Sequence, residues 1–217
     1  MATRRGSNRS RQFSYEQSVF LNVPFDRRYR KLFEALVFAI HDCGFVARCA
    51  LEFDDGADIR FDKLVRIIRE CRYGVHDISR TTLDTQNHLP RFNMPLELGL
   101  FLGARRFGAR NQSNKVCLIL ERDRYRYQKF CSDIAGQDVR AHNNEVEDAI
   151  TAVRNWLQAA RRSSVRIPGP ARIRDRYLQF RAQLPTICKT EKLGPAQLTF
   201  VDYRTIAVGW LQVNQTF

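Results

Sequence analysis

Val19-Phe20-Leu21-Asn22-Val23-Pro24-Phe25-Asp26 is an apolar run that stops in a proline-bearing polar turn. Apolar residues without in/out alternation read as a strand buried on both faces, and Pro24 cannot extend its ladder. A helix is expected next over 27–43, because Leu32, Leu36, Ala39, Ile40 and Cys43 recur on one face before Gly44. Phe38 falls on the otherwise polar side of that helix, near Glu34 and His41, where it is a candidate contact in an oligomer.

The unit then repeats. A second strand at 45–51 leads through the acidic loop 52–58 to a helix carrying Phe61, Leu64, Val65, Ile68 and Cys71. A third strand covers 73–78, and a long polar loop over 79–91 precedes an apolar helix that starts near Met94. A fourth strand lies at 115–120, a short fifth at 138–140, and a helix follows with Val146, Ala149, Ile150, Val153, Trp156, Leu157 and Ala160 at helical spacing. Alternating short apolar strands and amphipathic helices predict a doubly wound α/β domain with a mostly parallel five-stranded sheet, over 17–162. A small helical C-terminal module is expected over 172–217, joined by a basic, proline-rich linker at 163–171. In it, Ile173, Tyr177, Phe180 and Leu184 fit one short helix ended by Pro185. Thr199 and Asp202 form a capping-box pattern opening a second helix. This module docks on the main domain or on a partner, since it buries too little area alone. Residues 1–16 read as a basic flexible arm.

The totals narrow the function classes. In 217 residues, 44% hydrophobic content supports a packed core, and no apolar run approaches the ~20 residues that cross a bilayer, so no membrane partner is expected. Six scattered cysteines without a C-x-x-C pair read as free thiols in a reducing cytoplasm. The net charge of +13 attracts polyanions, nucleic acid through the arm and linker or the phosphates of a dinucleotide. Glycine-rich phosphate loops, nucleophile elbows and metal-ligand spacings are absent from the sequence, which argues against Rossmann dehydrogenases, P-loop NTPases and metal sites. His76 sits inside the third strand as a core histidine.

Carboxylates remain: Asp26, Asp54, Asp55, Asp58, Asp77 and Glu97, all near the carboxyl ends of the strands, where such sheets bind ligands. Glu97 stands apart because its helix, Met94-Pro95-Leu96-Glu97-Leu98-Gly99-Leu100-Phe101, is otherwise apolar. Leu100 and Phe101 lie three and four residues on, so Glu97 shares their side, and Gly99 and Gly103 would let the opposite side approach a neighbouring backbone. A carboxylate held there loses hydration, which costs several kcal/mol unless it is paired or neutralised. A structural role would pair it with Arg91 or Arg105. A catalytic role suits N-glycosidic cleavage: a fixed negative charge stabilises an oxocarbenium-like ribose, holds its hydroxyls, or attacks C1.

The first strand with its Pro24-Phe25 turn, Asp77-Ile78-Ser79 closing the third strand, and Asn93-Met94-Pro95-Leu96-Glu97-Leu98-Gly99 opening a helix resemble the nucleoside deoxyribosyltransferase-like and TIR-like superfamily over about residues 18–121. The resemblance implies that Glu97 is the catalytic residue for cleavage of NAD or a related nucleotide, with Asn22, Phe25 and Asp77 contacting the nucleotide. From their place at the rim, Asp26, Ser79, Arg80 and Asn93 complete the expected substrate-binding set, and Arg27 and Arg91 are further phosphate candidates. No metal and no cofactor is expected, the nucleotide being the substrate. Bacterial TIR-like relatives often act as antiviral effectors that deplete NAD, usually when assembled, so a homo-oligomer is implied. A non-catalytic nucleotide-binding sensor or scaffold, a nucleic-acid-binding protein and a deoxyribosyltransferase are the alternatives.

Overall fold

The computed structural model describes residues 13–81, 83, 89–162 and 166–214. The basic residues 1–12 and part of the polar loop and linker lie outside them. Five strands form one parallel sheet: β1 (Ser18–Asn22), β2 (Val46–Arg48), β3 (Tyr73–Asp77), β4 (Val116–Glu121) and β5 (Val139–Ala141). Their order is β2-β1-β3-β4-β5. The chain winds outward from β1 to β2, crosses back to β3 and continues through β4 to β5, so the direction switches between β1 and β3. The expected doubly wound architecture is what the residues form.

Strand alternation assigns the two faces. Val19 and Leu21 pack into the larger core with α1 (Arg30–Asp42) and α4 (Val146–Ala160). Phe20, on the opposite pleat, joins Leu64, Ile67 and Ile68 of α2 (Arg60–Glu70) and Phe101 of α3 (Asn93–Phe107). Gly74 of β3 sits under α3 without room for a side chain: a Cβ there would meet His76 Nε2 at 2.5 Å and Phe101 at 2.8 Å. Gly74→Ala is therefore expected to destabilise the fold by about 1–3 kcal/mol, read as a lower denaturation midpoint at unchanged slope.

The helix α1 starts at Arg30 rather than Arg27, residues 27–29 forming a turn capped by Asp26, whose Oδ1 accepts from the backbone N–H groups of Arg28 and Tyr29. It is buried all round, from Ala35 through Ile40. One side meets the sheet, and the other is covered by α5 (Pro170–Thr190) and α6 (Phe200–Val213), which share the same continuous core. Phe38 is accordingly not a surface contact. It is fully buried, stacked on Phe180 at 5.2 Å between ring centroids and packed against Tyr177 and Trp210. The C-terminal helices thus dock on the main domain. Nor does the linker hang free at its far end, since Ile167 is buried and Arg154 donates to the carbonyls of Ile167 and Pro168.

Proline 185 does not end α5. The helix runs through it to Thr190 because Ile173, Tyr177, Phe180, Leu184 and Cys188 bury one continuous stripe, which outweighs one missing N–H donor. The capping box at Thr199 and Asp202 is present as expected. In α2 the exposed face carries Phe61, while Ile67, unassigned from the sequence pattern, is in the core. No described helix is long and apolar enough to cross a membrane.

Candidate functional site

The carboxyl ends of β1 and β3 carry most of the predicted residues. Asn22, at the end of β1, is buried; its side-chain amide donates to His76 Nδ1 (3.0 Å) and to the carbonyl of Met94 (2.8 Å). This clasp ties β1 to β3 and fixes the first turn of α3, three residues before Glu97. Both amide donors of Asn22 are therefore engaged within the protein. His76 is the core histidine expected: burial, then the nearby Lys115 ammonium, push its pKa down to about 3 and keep it neutral.

Asp77 is fully buried and fully engaged. Tyr29 donates its hydroxyl to it, the Ser79 backbone N–H donates at 2.8 Å, and His142 Nε2 lies 3.0 Å away. Burial pushes its pKa up, but the hydrogen bonds from His142, Ser79 and Tyr29 outweigh that and hold it below the usual carboxylate range. A nucleotide reaching Asp77 would have to break this cluster. Ser79 is buried too, and its carbonyl accepts from Arg126, which is also ion-paired to the buried Glu121 at 2.6 Å. Asp26 pairs with Arg80 at 2.9 Å, so these two expected substrate contacts hold each other. His142 and Arg126 escaped sequence reading; the one available signal was their place just beyond β5 and β4, at the same rim as Asp77.

Glu97 is different. It lies on the second turn of α3, half-buried, with no hydrogen bond or ion pair to another described residue, and neither Arg91 nor Arg105 neutralises it. Burial raises its pKa to about 7, opposed only by the more distant charge of Arg60 at the start of α2. Asn93, one turn earlier on the same side of α3, is exposed. Gly99 and Gly103 do not admit a neighbouring backbone: a Cβ on either would meet open space. Phe25 and Asp26 line a cleft against α1 and the C-terminal helices that Glu97 does not line. The predicted set is thus divided among a locked interior (Asn22, Asp77, Ser79), an ion pair beside α1 (Asp26–Arg80), Phe25 on the wall of that cleft, and the open pair Asn93 and Glu97.

The state of Glu97 has a measurable consequence. Its folded pKa of about 7 lies above the ordinary 4.5, so the folded protein holds a proton that the unfolded chain gives up. Stability attributable to this group is therefore undiminished below pH 4.5, falls as pH rises between these values, and stays low above 7. Glu97→Gln removes that loss. Urea unfolding at pH 8 should find the variant more stable by on the order of 2 kcal/mol, discounted for partial exposure, with the difference gone at pH 4.

No protein-family model matches the chain, and no curated protein matches it.

Proposed function

We propose that this protein is an N-glycosidase that cleaves the ribose–base bond of NAD or a related nucleotide, with Glu97 as its catalytic carboxylate. The observation that carries the reading is the state of Glu97: desolvated, without a cation to neutralise it, near the β1/β3 switch where doubly wound sheets bind ligands. The resemblance to the deoxyribosyltransferase-like and TIR-like superfamily supports the same residue in the same role.

The chemistry follows from that state. A pyridinium base entering the site brings a positive charge, which favours the ionised carboxylate over the acid. As the C1–N bond breaks, its electron pair leaves with nicotinamide, which becomes neutral, and positive charge moves onto the ribose. A carboxylate in a partly dry site stabilises that charge as it develops, or forms a bond to C1 that water later hydrolyses. Water supplies the hydroxyl at C1 and one proton is released, giving ADP-ribose. Asn93 and Arg60 are the polar neighbours available for the ribose and phosphates, and a guanidinium suits the latter. Chromatographic assay of nicotinamide release by the purified protein tests the reading. In keeping with the resemblance, the active form is a homo-oligomer in the cytoplasm.

A second reading has its own support. Asn22 and Asp77 are engaged within the protein and do not present themselves as reacting groups, which suits a protein that binds a nucleotide without transforming it. Saturable NAD binding with no nicotinamide release, in dilute or concentrated protein, would favour that sensor over the enzyme.

A further inference from the structure

A cleft of about 780 Å³ separates the start of α1 from the C-terminal helices. Pro24, Phe25 and Phe33 wall one side, and Leu184, Pro195 and Phe200 the other. This volume and this apolar lining are those of a small-molecule site. The charges on its walls do not balance. Asp26 is paired with Arg80 at 2.9 Å. Glu34 is paired with Arg30 at 2.7 Å and with Arg181, and Arg30 also donates to the carbonyls of Pro195 and Ala196. Every carboxylate lining the cleft is therefore neutralised. Arg27 and Lys31 line it as well, both exposed, and neither side chain is ion-paired to a described residue. The N-terminal end of α1 borders the same wall and adds partial positive charge. Phe25 is 37% exposed, its ring edge-on to Phe33 at 5.5 Å, which leaves apolar area open to a ligand.

We propose that this cleft binds an amphipathic anion: a planar apolar body packs against Phe25, and a phosphate, sulfonate or carboxylate group meets Arg27 and Lys31. A mononucleotide and a non-nucleotide aromatic acid share that chemistry. The site is separate from Glu97, and the proposal does not depend on the glycosidase reading.

Calorimetric titration of the full chain with adenosine monophosphate and with 1-anilinonaphthalene-8-sulfonate tests it. At least one probe should bind saturably; the nucleotide alone identifies a nucleotide site, the sulfonate alone an aromatic-acid site. Arg27→Glu with Lys31→Glu should weaken that binding at least tenfold. Ala196→Trp, at an exposed wall position, should do the same by filling the cleft while both cations remain. Glu97→Gln should leave it unchanged, which separates this site from the proposed catalytic one. Uncharged adenosine should bind at least tenfold more weakly than its monophosphate if the nucleotide is the ligand. No saturable binding of either probe at millimolar concentration, or binding that survives both cleft changes, overturns the proposal.

Discussion

Glu97→Gln is expected to lower nicotinamide release from NAD at least hundredfold, about 3 kcal/mol of transition-state stabilisation, with little change in KM. Glutamine keeps the shape and polarity of the side chain but cannot carry the negative charge that opposes the developing ribose cation. The effect therefore belongs in kcat. The wild-type rate should also depend on pH in one direction. In the proposed mechanism the ionised carboxylate is the working form, and burial raises its pKa to about 7, so the rate at low substrate should rise as pH increases through that value and level off above it. Equal release by wild type and Glu97→Gln would remove this residue from the mechanism.

Phe38→Ala is expected to destabilise the protein by about 3–5 kcal/mol, the largest single-residue effect on stability anticipated here. Phe38 is fully buried between α1 and both C-terminal helices, with Tyr177, Phe180 and Trp210 around it. Truncation leaves a cavity lined by rigid aromatic rings that cannot collapse into it. Because α5 and α6 share one core with α1, the loss should appear as a single cooperative transition at lower denaturant, detected alike by tryptophan fluorescence and by circular dichroism. A change below 1 kcal/mol, or a separate early transition for the C-terminal helices, would show that they are held to α1 by something other than this packing.

The sheet and its order of elements were legible because each strand is a short apolar run and each crossover helix has a stripe at helical spacing. The capping box at Thr199 was legible because both partners lie within one turn of each other. What escaped depends on contacts distant in sequence. A two-sided surface helix would leave Phe38 exposed; the unbroken run from Ala35 to Ile40 is the sign that a second layer covers it. Pro185 has the residue type of a helix stop, but the buried stripe of α5 continues past it to Cys188. At the rim, residue type and position identified the carboxylates but not their partners. Nothing near Asp77 in sequence reveals that Tyr29 and His142 saturate it, nor does anything near Asp26 point to Arg80. Lys115, expected in a strand, is instead a buried cation whose ammonium donates to the carbonyls of Ile68 and Cys71 at the end of α2. Burial lowers its pKa to about 8. Glu97 was legible for the opposite reason: an apolar helix offers a carboxylate no local partner, and none of the described residues supplies one.

The most direct test is the titration of Glu97 itself, followed by the carboxyl ¹³C resonance that glutamine substitution removes. In the free protein its pKa should be about 7, and saturating NAD or a non-hydrolysable pyridinium analogue should lower it by at least one unit as positive charge enters the site. An ordinary carboxylate pKa that no pyridinium ligand shifts would contradict a desolvated, substrate-facing Glu97.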